Sequence, residues 1–156
     1  MKLFLIRHGQ SESNENLKIH QFVPDHAIEL TKRGKEQAEI CGEFLGNYDS
    51  SIVRYQSRTW NSPYIRTRQT KNIINKEIEK FKGVEFDSYE NILLAEQQFG
   101  LFDGLTDDEL KEKFPEEHAH YELCQKFQGR FWARMPLGES RFDVAARIHQ
   151  IFGTWH

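Results

Sequence analysis

Arg7-His8-Gly9-Gln10-Ser11 closes the apolar run Leu3-Phe4-Leu5-Ile6, and its residue types suit the transfer of a phosphoryl group. Such a transfer needs a nucleophile in line with the leaving oxygen, positive donors on the equatorial oxygens and an acid for the leaving group. The imidazole of His8 can act as the nucleophile through one ring nitrogen. A free histidine titrates at roughly 6.5 and neighbouring arginine charge lowers that value, so a neutral ring near neutral pH needs no separate base. Arg7 supplies a permanently charged planar fork, and Arg66, in Ser62-Pro63-Tyr64-Ile65-Arg66, supplies another from a different loop. Ser11 and Ser13 have no paired histidine and acid to activate them. His20, His26, His118 and His120 share no ligand spacing with carboxylates, so no metal site is expected.

Separate elements must hold these groups. The apolar run before Arg7 predicts a first strand over 3–6, covered on both faces and opening into the His8 loop. Thr31 can cap a helix reaching about Gly46, with Ala38, Cys41 and Leu45 on its core face. A second strand is expected within 52–60. A helix beginning at Ser62-Pro63 follows it, with Ile65, Ile73, Ile74, Ile78 and Phe81 as its apolar stripe. A third strand is placed around 85–89. Thr106-Asp107-Asp108-Glu109 reads as a capping box before Leu110, and Pro115 ends that helix. Further helix is predicted over 117–127, and Ser140 opens a last one carrying Val144, Ile148, Ile151 and Phe152. Alternating strands and helices imply an α/β fold, a three-layer α/β/α sandwich with a mainly parallel central sheet. Ligands bind beyond the carboxyl ends of such strands, which places the His8 loop and the Ser62 loop on one rim.

At 156 residues, 38% of them hydrophobic, the chain is long enough to bury one core and too short for two ordinary domains, so a single domain over 1–156 is expected. A net charge of -3 and a pI near 6.2, with both signs interleaved, exclude a dominant nucleic-acid footprint. Cys41 and Cys124 lack C-x-x-C spacing, so neither a disulfide framework nor a zinc site is expected, and a reducing, cytoplasmic compartment fits. The N-terminal apolar run is far shorter than a signal-peptide core or a membrane span, so no targeting or membrane segment is expected.

The segment Arg7-His8-Gly9-Gln10-Ser11-Glu12-Ser13-Asn14 resembles the signature of the histidine phosphatase superfamily, the phosphoglycerate mutase and histidine acid phosphatase group. Further similar blocks follow in order: Leu30-Thr31-x-x-Gly34-x-x-Gln37-Ala38, then Ser62-Pro63-Tyr64-Ile65-Arg66-Thr67-Arg68-Gln69-Thr70, then Leu94-Ala95-Glu96-Gln97-Gln98-Phe99-Gly100, then Gly138-Glu139-Ser140 with Asp143 and Arg147. The resemblance is nearest to a small phosphatase-like branch. It implies a phosphohistidine on His8, phosphate clamps at Arg7 and Arg66, a phosphate hydrogen bond from Asn14 and a general acid at Glu96. The implied activity is metal-independent and cofactor-free hydrolysis of a small phosphorylated substrate. A phosphoglycerate-type mutase and a catalytically weak phospho-ligand-binding protein are the alternatives. The family pattern also has a second histidine in a His-Gly motif, on a strand after the Gly138-Glu139-Ser140 helix. Neither His149, inside the predicted helix, nor the terminal His156 takes that role, so a fold truncated at its C-terminal end, with apolar surface of the last helix exposed, is expected. Oligomeric state has no sequence signal.

Overall fold

The computed structural model describes residues 3–48, 58–83 and 86–153, and the chain divides into two units, Met1–Leu94 and Ala95–His156. In the first, α1 (Glu12–Glu15) leads through 3-10 turns at Leu17–Gln21 and Asp25–Ala27 to α2 (Lys32–Asn47). Then come β1 (Arg58–Asn61), α3 (Ile65–Lys82) and β2 (Asp87–Glu90). β1 and β2 pair in parallel, Arg58 beside Asp87 through Asn61 beside Glu90, with α3 as the crossover. That is the βαβ unit expected of an α/β chain. The part of the second predicted strand over 52–57 lies outside the described residues, as does Glu85 of the third.

Residues 3–6 depart from expectation. They form no strand, and Leu5 is 83% exposed rather than covered on both faces. Strand structure requires a neighbour to take up the backbone N–H and C=O groups. Among the described residues, the only ladder is that between β1 and β2.

α2 and α3 pack through two complementary rows. Thr31 caps α2 as predicted, its Oγ1 accepting from the Gly34 amide at 3.1 Å. One face of α2 then presents Gly34, Ala38, Gly42 and Gly46, each four residues from the last and all buried. α3 answers with Arg66, Thr70, Ile74 and Ile78 at the same spacing, also buried. Rows of i, i+4 residues interdigitate when two helices pack, and glycine lets the backbones approach closely. A Cβ on Gly42 would lie 2.6 Å from the Glu77 Cβ, and one on Gly46 2.6 Å from the Phe81 ring. Ala38, Leu45, Ile74 and Ile78 form the apolar cluster, with Cys41, Ile73 and Phe86 against it. Phe81 covers Gly46 yet stays half-exposed, so it belongs to the edge of this core. α3 starts at Ile65, two residues later than predicted, because the Ser62 hydroxyl accepts from the Tyr64 amide at 3.3 Å and shapes a bend there.

In the second unit, a 3-10 turn at Gly100–Phe102 precedes α4 (Asp107–Lys113), α5 (Pro115–Gln128) and α6 (Arg141–Phe152). Thr106 with Glu109 forms the predicted reciprocal capping box, and Ser140 with Asp143 forms a second one at the start of α6. Pro115 both ends α4 and occupies the first turn of α5, where its missing N–H has no cost. The Phe102 ring packs against His118 and Tyr121 of α5, with centroids 6.4 and 5.5 Å apart. On α6, Ile151 is buried whereas Phe142 and Phe152 are exposed. Among the described residues, no helix is long and apolar enough to cross a membrane.

Candidate active site

The His8 loop is held by backbone contacts on two sides. On one, Ser11 forms an antiparallel bridge with Leu30, the Glu12 amide donates to the Glu29 carbonyl at 3.0 Å and the Thr31 amide to the Gln10 carbonyl at 3.0 Å. The Gln10 amide donates to Gln37 Oε1 of α2 at 2.8 Å. On the other side the Gly9 amide donates to Thr70 Oγ1 of α3 at 3.1 Å, and that hydroxyl donates to the Arg66 carbonyl at 2.8 Å. The His8 loop is thereby tied to α3, the helix that carries Arg66. Thr70 and Gln37 are not among the site residues expected from the sequence, though both had a signal in their places at the ends of the Ser62-to-Thr70 and Leu30-to-Ala38 blocks.

Gly9 and Gly34 make this fit possible. A Cβ on Gly9 would sit 2.2 Å from the Gly34 carbonyl oxygen, and one on Gly34 2.0 Å from the Gln10 carbonyl oxygen. Both obstructions are backbone, so no side chain can swing aside. Gly34→Ala is therefore expected to destabilise the fold by about 1–3 kcal/mol, the usual range for overpacking. Urea unfolding would show this, and an unchanged midpoint would mean the loop is not held as described.

His8 Nδ1 lies 2.7 Å from the Gly9 carbonyl, which can only accept. The proton must then be on Nδ1, and Nε2 keeps the lone pair. Arg7 is exposed, with no bond recorded to its guanidinium among the described residues. Arg66 is placed differently from a solvated clamp: it is 4% exposed, and its guanidinium is paired with Asp25, a residue the sequence reading did not single out. Arg68 stays exposed and grips Glu90 through two bonds of 2.6 Å, tying α3 to β2 and holding the Glu90 carboxyl below its usual range.

Asn14 has a structural role at one end of its amide, and the family resemblance implies a phosphate contact for the other. Its Oδ1 accepts from the Ser11 amide and the Ser11 hydroxyl, both at 3.0 Å, which caps α1 and fixes the side-chain plane. The Nδ2 amide is a separate group carrying two donors. Asn14→Asp keeps an acceptor for the cap and removes the donors. It should weaken phosphate-ester binding by roughly 10- to 100-fold with little loss of stability, since a hydrogen bond to a charged group contributes roughly 1.5–3 kcal/mol. Comparing KM with the melting temperature of this variant separates the two jobs.

Glu96 lies in the second unit on an exposed loop, its Oε1 accepting from the Gln97 amide at 3.1 Å. The loop is positioned by the Gly138-Glu139-Ser140 block. Arg147 donates from Nε and Nη2 to the Glu139 carboxylate at 3.0 and 3.1 Å and reaches the Glu96 carbonyl at 3.3 Å. Glu139 also receives the Gln98 amide at 3.0 Å, and its own amide donates to the Gln98 carbonyl at 2.8 Å. Gly100, at φ +60, and Gly138 let the two segments touch: a Cβ on Gly100 would lie 2.2 Å from the Pro136 carbonyl oxygen. Burial pushes the Glu139 carboxyl up, but the bonds from Arg147 and the Gln98 amide, with the charge of Arg147, outweigh burial and hold it below its ordinary 4.5. A depressed carboxyl stabilises the fold above its unfolded-state value, and that contribution is lost as pH falls through the lower folded value. Acidification from neutral pH should therefore loosen the Glu96 loop. Glu139→Gln should show a shallower fall in melting temperature over that range; an equal fall would remove Glu139 from the account.

A cavity of about 490 Å³ in the second unit is lined by Phe102, His118, Tyr121 and Lys126 among others, and by none of the predicted site residues. Among the described residues, no cluster of three or more His, Cys, Asp or Glu side chains could hold a metal ion.

Residues 3–156 match the family model described as histidine phosphatase superfamily (branch 1). A phosphoglycerate mutase-like protein of Arabidopsis thaliana is 34% identical over 150 residues, which cover 94% of this chain and 44% of that protein. A 6-phosphofructo-2-kinase/fructose-2,6-bisphosphatase of Rattus norvegicus is 28% identical, covering 96% of this chain and 22% of that one. The chain thus spans half or less of the curated relatives it matches. Among solved structures, the alpha-ribazole phosphatase from Shigella flexneri superposes with a TM-score of 0.66 at 17% identity, over 95% of this chain and 63% of that one, a likeness of fold.

Proposed function

The chain belongs to the histidine phosphatase superfamily, branch 1, and on that premise we propose that it hydrolyses phosphate monoesters through a phosphohistidine on His8. The observation that carries this reading is the bond chain from the Gly9 amide through Thr70 Oγ1 to the Arg66 carbonyl, which gives the nucleophile and a clamp arginine a common support. His8 Nε2 attacks phosphorus as the bond to the leaving oxygen breaks, and the Nδ1–H to Gly9 carbonyl bond steadies the ring as it gains charge. Arg7, Arg66 and Asn14 Nδ2 stabilise the equatorial oxygens. Glu96 gives its proton to the leaving oxygen; a bound phosphate dianion favours that protonated form by like-charge repulsion. Water then cleaves the phosphohistidine. The substrate is a small phosphorylated molecule, and the family resemblance supports chemistry that needs no metal or cofactor. Two free thiols and the lack of any membrane-crossing helix among the described residues accord with a cytoplasmic setting.

The test is a rapid acid-free quench with a labelled phosphate ester: label should appear on His8 in a burst before free phosphate accumulates. Turnover without any labelled histidine would sink the mechanism. The name of the Arabidopsis thaliana relative favours one second reading, a mutase that returns the phosphoryl group to a substrate oxygen. Activation by a bisphosphorylated primer, with little free phosphate released, would identify it.

A further inference from the structure

Guanidinium N–H groups form two forks, end-on through Nη1 and Nη2 and side-on through Nε and Nη2, and each fits one two-oxygen anion. In Arg66 the end-on fork is already filled. Nη1 donates to Asp25 Oδ1 at 2.8 Å and to the Asp25 carbonyl at 2.6 Å, and Nη2 donates to Asp25 Oδ2 at 3.3 Å. The side-on edge, Nε–H with the remaining Nη2–H, has no partner recorded among the described residues. The group is buried, and its central carbon lies 4.8 Å from the centroid of the Tyr64 ring. Turning the fork would break all of the Asp25 bonds at once. Asp25 is itself placed by the 3-10 turn Asp25–Ala27, closed by the Ile28 amide on the Asp25 carbonyl at 3.3 Å, and His20 Nδ1 stands 4.0 Å from its Oδ1.

The geometry points to Asp25 as the positioning residue of the phosphate clamp: it occupies the end-on fork of Arg66 and so presents the side-on fork to a single phosphoryl group. This rests on the reading of Arg66 as a clamp given above. Asp25 does not touch substrate; it acts through Arg66. Because the pair is charge-balanced, the clamp selects a tetrahedral oxyanion by the spacing of Nε and Nη2 rather than by net positive charge. An ammonium at this position could not serve Asp25 and phosphate on separate planar edges.

The experiment is a double-mutant cycle read by binding of inorganic phosphate to the whole chain, measured by calorimetry. Arg66→Met keeps the buried stem and removes both forks. Asp25→Ala removes the support, and Asp25→Asn is the near-isosteric variant to use if the first does not fold. Asp25→Asn sets an amide N–H₂ against Nη2, donor against donor, and frees the fork to turn. The expected result is about tenfold weaker phosphate binding for either Asp25 variant when Arg66 is present, the scale of a misoriented binding group, and no further loss when Arg66→Met is already in place. Equal or tighter binding in Asp25→Asn would overturn the inference, making Asp25 a competitor for the clamp. An equal loss in the Arg66→Met background would also overturn it, because Asp25 would then act independently. The clamp reading fails separately, and takes this inference with it, if Arg66→Met binds phosphate as the unaltered chain does or if the unaltered chain binds none.

Discussion

Turnover of a simple aryl phosphate by His8→Ala is expected to fall by roughly 10⁴-fold or more, the scale at which removing a covalent nucleophile usually acts. The imidazole has no understudy. Ser11 is buried and its hydroxyl is engaged with Asn14 Oδ1 and Ser13 Oγ, so neither serine of the loop is poised to attack. On the proposed mechanism the loss falls on kcat, since His8 would contribute a bond made only as the reaction proceeds, while ester affinity, assigned there to Arg7, Arg66 and Asn14, should hold within a few-fold. Trapped label on the protein should vanish in the variant. Retention of activity within tenfold in pure protein would remove His8 from the mechanism.

Arg66→Lys is the other large effect expected, a loss on the order of 10² in kcat/KM, or about 2.7 kcal/mol of transition-state stabilisation. The charge is conserved, so charge alone predicts little change. Geometry predicts otherwise. Arg66 meets Asp25 with Nη1 and Nη2 while lying on the buried row of α3, and an ammonium that stays with the Asp25 carboxylate is withdrawn from phosphate. An ammonium that leaves Asp25 strands a carboxylate whose side chain is only 21% exposed. Kinetics on Arg66→Lys, with circular dichroism to confirm folding, measures this directly; a loss of less than threefold would show that the clamp works through charge and not through its fork.

Helix positions were legible where local chemistry decides them. Thr31, Thr106 and Ser140 start their helices because side-chain oxygens at those spacings satisfy amides only a few residues away. The start of α3 moved from Ser62-Pro63 to Ile65 because a bend, also local, competed for the same hydroxyl. The expected strand 3–6 is absent for the opposite reason: an apolar run states a preference for burial, but pairing depends on a partner remote in sequence. The row Gly34, Ala38, Gly42 and Gly46 could have been noticed in the sequence as small residues at helical spacing, though only its partner row shows what it is for.

From the sequence by itself came the α/β class, the family, and Arg7, His8, Asn14, Arg66 and Glu96 as the candidate site, because a reactive residue type at the end of an apolar run and ordered motif blocks are properties of the chain read along its length. Tertiary structure alone decided that Thr70 joins the Gly9 amide to the Arg66 carbonyl, and that Asp25 occupies one edge of the Arg66 fork. The physical reason is distance along the chain. Gly9 and Thr70 are 61 residues apart and Asp25 and Arg66 are 41, and bonds of about 3 Å between such positions form only after two helices have packed glycine against side chain.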